Sequence, residues 1–199
     1  TTNLNVLSAS YPVIFGGIPD SASAPGGYFA FDRRLVFDCY SPSTIASALI
    51  YSEDFGSVTF ELRDDNGTII ESSLQSVVPG PQRVILNFDM PVGTDYELGV
   101  DNPNQVGLFR SNTNVNYPYN FGSLASLTGS TANNTGFYYF FYDIELVGQA
   151  TANVLSICDG DSVVVAGSES ICRIHVHTNK PAELFHQLKE IGTITFHAD

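Results

Sequence analysis

The sequence predicts a mainly β protein: an antiparallel β-sandwich, jelly-roll-like, followed by a small β-β-α-β segment. Three observations predict it. Short runs with a period of two recur at the roughly 8–12-residue spacing of a sandwich or barrel, about ten of them before residue 150. No helical period interrupts them over that span. After Gly148 the texture changes, with two apolar runs leading into an amphipathic stretch punctuated as a helix. The boundaries read as a sandwich over residues 1–147, a linker over 148–156 and a partial α/β module over 157–199.

Leu4–Leu7 and Val13–Phe15 read as short strands, and Gly16–Gly27 as a loop rich in Gly, Pro, Ser and Asp. Tyr28–Cys39 reads as one strand whose core face is Phe29, Phe31, Leu35, Phe37 and Cys39, interrupted by Arg33. Ile45–Tyr51 is apolar. Val58, Phe60 and Leu62 alternate with Thr59, Glu61 and Arg63, as in a half-buried antiparallel strand. Asp64-Asp65-Asn66-Gly67 predicts a hairpin with a type I′ turn at Asn-Gly. The chain returns through Thr68–Leu74 and turns at Pro79-Gly80-Pro81. Val84, Leu86 and Phe88 form the next core face, and Tyr96, Leu98 and Val100 the one after. Short strands follow near 107–110, 115–119 and 124–128. The stretch GFYYFFYDIEL, Gly136–Leu146, reads as the closing strand. Tyr138, Phe140, Tyr142, Ile144 and Leu146 form its core face, and Phe137, Tyr139, Phe141, Asp143 and Glu145 the other.

Of 199 residues, 21 are Asp or Glu and 8 Lys or Arg, for a formal charge of −13. That balance opposes nucleic acid and anionic membrane surfaces, because phosphate binding needs clustered cations. No apolar run approaches a membrane span, so membrane insertion is not expected. Charged residues make up only 15%, as on many extracellular β proteins. The chain begins at Thr1, as removal of an export signal would leave it, or an engineered start. The three cysteines cannot all pair within one chain: Cys39 reads as a small buried hydrophobe, while Cys158 and Cys172 flank a hairpin and are placed to pair after export.

The hairpin ELRDDNGTII, the strand QRVILNFDMPVGTDYELGVD, the loop GLFRSNTNVNYPY and GFYYFFYDIEL together resemble a β-sandwich module of secreted and surface proteins of gliding, polysaccharide-degrading bacteria. The resemblance covers roughly residues 20–147 and implies an exported, non-catalytic role. No catalytic set contradicts it. There is no Ser-His-Asp arrangement, P-loop or Gly-x-Gly-x-x-Gly, and all four histidines follow residue 174. Asp20-Ser21-Ala22, Asn66-Gly67-Thr68 and Asn133-Asn134-Thr135 match short glycosylation patterns that loop chemistry explains equally well. The ligand candidate is RSNTNVNYPY, with Arg110, Asn112, Asn116, Tyr117 and Tyr119. Tyr rings stack on sugars, and Asn and Arg supply planar hydrogen bonds. The competing reading is a polar hairpin whose tyrosines pack back onto the sheet.

Beyond the linker, Ser162–Ala166 and Ile171–His177 read as strands, Pro181–Ile191 as a helix and Thr193–Phe196 as a last strand. The run GDSVVVAG followed by ICRIHVHTNKPAELFHQLKEIGTIT resembles a segment of the dihydroxyacetone-kinase-like proteins that serve fatty-acid kinase, including those fused to a DegV-type lipid-binding domain. In those proteins the segment lies between the ATP-binding and lipid-binding parts, neither of which occurs in this sequence, so kinase activity is not implied. The resemblance associates the His-x-His run with zinc. His175 and His177, two apart on a strand, share one face and are the candidate metal pair. Cys158, Cys172, His186, His197 and Asp199 are the residues left to complete such a site, Cys172 with the wrong strand parity; the alternative is a structural pair on a half-covered sheet.

The expectation drawn from all this is a non-enzymatic extracellular or cell-surface module for adhesion or glycan binding, its partners a glycan or matrix surface or copies of itself. No cofactor is required, with zinc the one ion the histidine pair admits. Two alternatives stand beside it: a structural component of an extracellular assembly or filament using terminal strands, and an accessory piece of a fatty-acid-kinase-like protein with a zinc site.

Overall fold

A computed structural model describes residues 2–6, 12–101, 106–132, 135–149, 163–168 and 171–178, with Lys180 and Ala182. The protein is mainly β, and its strands pair antiparallel. It forms two compact units, residues 13–148 and residues 1–12 together with 149–199. The expected division kept residues 1–147 together; the structure instead assigns the N-terminal segment to the unit that contains the tail.

Strands are numbered from β1 (Thr2–Val6), which belongs to the small unit. The large unit holds two sheets. The first contains β2 (Val13–Gly16), β3 (Gly26–Phe29), β5 (Ser43–Ser52), β8 (Gly80–Met90), β10 (Leu108–Ser111), β13 (Tyr138–Tyr139) and β14 (Tyr142–Gly148). Its order runs β13-β10-β5-β14-β2, with β3 on β10 and β8 on β5. The second contains β4 (Arg34–Cys39), β6 (Gly56–Arg63), β7 (Ile69–Val77), β9 (Gly93–Asp101), β11 (Tyr119–Phe121) and β12 (Ala125–Ser130), in the order β11-β12-β4-β9-β6-β7.

Alternation sets the core. In β8, Val84, Leu86, Phe88 and Met90 are buried while Arg83, Ile85, Asn87 and Asp89 are exposed, as expected for a strand with one wet face. Ile45 and Ile50 from the first sheet, and Leu35, Phe37, Phe60, Leu62 and Leu98 from the second, join one hydrophobic cluster. Cys39 is free and buried, its one S–H within reach of the carbonyls of Ser41 (3.0 Å) and Met90 (3.2 Å), and burial pushes the thiol pKa up.

Three expectations are corrected. The run 28–39 is two strands in different sheets, β3 and β4, and Phe31 between them is exposed rather than core. The run 136–146 is also two strands. Residues 138–142 are all buried, so neither alternation face is wet, and β13 ends at Tyr139 before β14 begins at Tyr142. The chain bends through a γ-turn, Phe141 N–H to Tyr139 O at 2.9 Å, with Phe140 at φ 68. At the hairpin, Gly67 has φ 77 but Asn66 is not in the left-handed region. Asp64 O accepts from Gly67 N–H, and Asp64 Oδ1 accepts from the N–H groups of Asn66 and Thr68. The Asp64 side chain thereby favours a turn with a single positive φ over type I′, and the pairing of β6 with β7 carries a register shift at Leu62/Arg63 beside it.

In the small unit, β16 (Ile171–Thr178) lies between β15 (Val163–Ser168) and β1. The expected helix 181–191 lies outside the described residues except for Ala182, which is helical, and the expected strand 193–196 lies wholly outside them.

Candidate functional site

The RSNTNVNYPY stretch begins in β10 and continues as a loop into β11; the strand expected at 115–119 starts only at Tyr119. Arg110 is half-buried with its guanidinium between two rings, 4.4 Å from the Phe29 centroid and 4.5 Å from that of Phe137. Tyr117 donates its hydroxyl to Phe137 O at 2.9 Å. Its ring lies nearly parallel to that of Tyr138 at 6.1 Å and edge-on to Tyr119 at 5.5 Å. Tyr119 also meets Tyr138 edge-on, and its hydroxyl accepts from Asn116 N–H. Phe137 therefore joins the two halves of the candidate, with its ring on Arg110 and its carbonyl on Tyr117. Asn112 and Asn116 remain on the surface. Asn112 N–H donates to Pro25 O, and Asn116 Nδ2 to Asn114 O.

Deeper in the cluster, Ser111 Oγ donates its one proton to Ala24 O at 2.6 Å, so Tyr142 is the donor in the 2.9 Å hydroxyl pair with Ser111. Tyr138 is fully buried and accepts from Ile18 N–H. Burial raises the pKa values of Tyr117, Tyr138 and Tyr142 well above the ordinary tyrosine value, since a phenolate would have to be desolvated. These are neutral hydroxyls that organise backbone, with their ring faces largely against one another. Phe29, Phe137 and Ser111 are the partners that the sequence leaves out; Arg110 stands opposite Gly27 and Tyr139, and its two rings lie two residues away from these in the chain, a placement that only the register gives.

The histidine pair lies on β16. His175 stands opposite Asn5 of β1 and Val164 of β15, and His177 opposite Asn3 of β1. Strand alternation puts both histidines on one face of the sheet and Cys172 on the other. Cys158, His186, His197 and Asp199 lie outside the described residues, and with Cys158 the expected Cys158–Cys172 pairing. Among the described residues no group of three or more His, Cys, Asp or Glu is placed to hold a metal.

A family model for the FakA-like middle domain of fatty acid kinase matches residues 149–197. No curated protein and no solved structure matches the chain. The match coincides with the C-terminal part of the small unit and fits the fatty-acid-kinase resemblance carried by GDSVVVAG and the His-Val-His-Thr-Asn run. It also corrects the functional expectation. An extracellular adhesion or glycan-binding module is not what the matched family indicates; the accessory piece of a fatty-acid-kinase-like protein is favoured instead. The physical reason for the misreading is that Arg and Tyr in a polar loop look alike in sequence whether their faces await a ligand or already pack on Phe29, Phe137 and Tyr138.

Proposed function

We propose that the small unit is an accessory module of a fatty-acid-kinase-like protein, carrying no phosphoryl-transfer machinery of its own and holding zinc at His175 and His177. The observation that carries this is the family match over residues 149–197, together with the β15–β16 hairpin that puts both histidines on one sheet face. The two imidazoles would supply half of a tetrahedral set, the remaining ligands coming from Cys158, His186, His197 or Asp199. Zinc there would tie β16 to the segments that follow or precede it, adding folding free energy to the small unit. Residues 13–148, by this reading, form a β-sandwich of jelly-roll type; the single hydrophobic cluster drawn from both sheets supports it.

Metal analysis of protein purified without a histidine tag tests the proposal. About one equivalent of zinc is expected, lost in His175→Ala and His177→Ala, with chelator lowering the thermal stability of the small unit. Less than about a tenth of an equivalent, with stability indifferent to chelator, would remove the zinc site.

A further inference from the structure

The N-terminal segment carries an inference independent of the metal. Its strand β1 aligns on β16 with the register Thr2↔Thr178, Asn3↔His177, Leu4↔Val176, Asn5↔His175 and Val6↔Ile174. The sequence pattern agrees with that register over Asn3–Val6, while Thr2 and Thr178 share the apolar face and Val164 the histidine face. Leu4 and Val6 share a face with Ile174, Val176, Val163 and Val165, whereas Asn3 and Asn5 share the opposite face with His175 and His177. A slip of one residue would put Leu4 and Val6 on the histidine face and both asparagines on the apolar one. The large unit adds a second observation: its first and last strands, β2 and β14, pair with Val13 opposite Val147. An antiparallel pair holds such residues roughly 5 Å apart, so the chain enters and leaves residues 13–148 at neighbouring points.

We infer that the β16 edge is a strand-binding site. It recognises an extended segment of alternating polar and apolar residues, and its occupant is this chain's own Thr2–Val6. Residues 13–148 are then a domain inserted between the first strand of the small unit and the rest of it. The paired ends of the insert allow this, because a domain whose termini are adjacent lengthens a connection without pulling its ends apart. The backbone hydrogen bonds supply affinity, and the alternation supplies register.

Proline scanning of the full chain tests it. Along an edge strand N–H groups point alternately at the partner and at solvent, and proline is tolerated only at the solvent-facing positions. Leu4→Pro and Asn5→Pro therefore have opposite outcomes. One raises amide exchange across Ile174–Thr178 by about tenfold or more; the other leaves it near wild type. Deleting residues 1–6 reproduces the larger effect, and a synthetic peptide of residues 1–8 added to the deleted chain restores protection. Equal effects from both prolines, or unchanged exchange on deletion, would overturn the inference. A wild-type chain that is dimeric by light scattering and becomes monomeric on deletion would also overturn it, by showing that the occupant comes from a second copy.

Discussion

Gly99 is the position where one methyl group tests the most. It lies in β9 between Arg34 of β4 and Glu61 of β6, in register with both, on the face of the second sheet turned away from the core. Without a Cβ there, Arg34 lies flat across β9, and its Nη2 reaches Glu61 Oε2 at 3.3 Å. Arg34 Nη1 also meets Asp32 at 3.0 Å, and Arg63 holds Glu61 at 2.7 Å. The Arg34 and Glu61 side chains are 8% and 4% exposed, so this bond is screened far less than a surface pair. A Cβ on Gly99 would sit 2.2 Å from Arg34 Cγ and 3.0 Å from Arg33 O. To restore van der Waals contact the Arg34 side chain must lift by more than an ångström, which carries it out of reach of Glu61. Glu61 keeps Arg63 and Arg34 keeps Asp32, so neither charge is orphaned, and the loss is that of one charged hydrogen bond, about 1.5–3 kcal/mol. Replacing a strand glycine by alanine returns about 0.5–1 kcal/mol. Gly99→Ala should therefore destabilise the large unit by about 1–2 kcal/mol net. Urea unfolding followed by tyrosine fluorescence reads this unit, because every tyrosine except Tyr11 lies between residues 13 and 148 and the chain has no Trp. In an Arg34→Ala background the cost should fall to less than half, since the 2.2 Å contact is gone while Arg34 Cβ and Arg33 O remain. A Gly99→Ala chain as stable as wild type, or an equal cost in both backgrounds, would refute the reasoning.

Two other predictions concern the large unit. Gly67, at φ 77 with open space where a Cβ would stand, should lose about 1 kcal/mol on substitution by alanine from backbone strain, while Gly27→Ala in β3, equally open but without a positive φ, should raise stability by about 0.5–1 kcal/mol and move the urea midpoint up. Because burial raises the pKa values of Tyr117, Tyr138 and Tyr142, the folded chain binds more protons than the unfolded one above pH 10.0. Stability is therefore complete below that pH and falls as pH rises through those raised values. Phenolate absorbance should show fewer ionised tyrosines in the folded chain than in denaturant at pH ~11, and a full set ionising before unfolding would contradict the packing described.

The fold was legible where one face of a strand is wet. β8 alternates cleanly because its outer residues face solvent, and β6 keeps the same period of apolar and polar types although Glu61 on its outer face is buried among arginines. It was not legible at residues 138–142, where five consecutive aromatic residues are all buried and the period carries no contrast to read. The break between β3 and β4 was hidden for a related reason. Apolar alternation continues through Phe29, Phe31 and Leu35 although the chain changes sheet between them, and only burial distinguishes the exposed Phe31. At the hairpin the Asn-Gly signal was real, but Asp64 two residues earlier accepts from Asn66 N–H and Thr68 N–H and selects a different turn.

The site residues divide along the same physical line. That His175 and His177 share a face follows from sequence, because two residues apart on a strand means the same side whatever the strand pairs with. What lies opposite them does not follow: Asn3 and Asn5 are far away in sequence, and nothing local in Thr2–Val6 says that this strand aligns on β16 rather than on its sequence neighbour β2. Arg110, Tyr117 and Tyr119 are the converse case. Their residue types suit a sugar, but whether a ring face is free depends on Phe29, Phe137 and Tyr138, which the register and the γ-turn at Phe140 bring in from elsewhere in the chain. Chemistry fixed by spacing within one element can be read from sequence, whereas chemistry that depends on which faces remain uncovered requires the pairing of strands. That is why the charged cluster around Arg34, built across three strands over a single glycine, left no local signal at all.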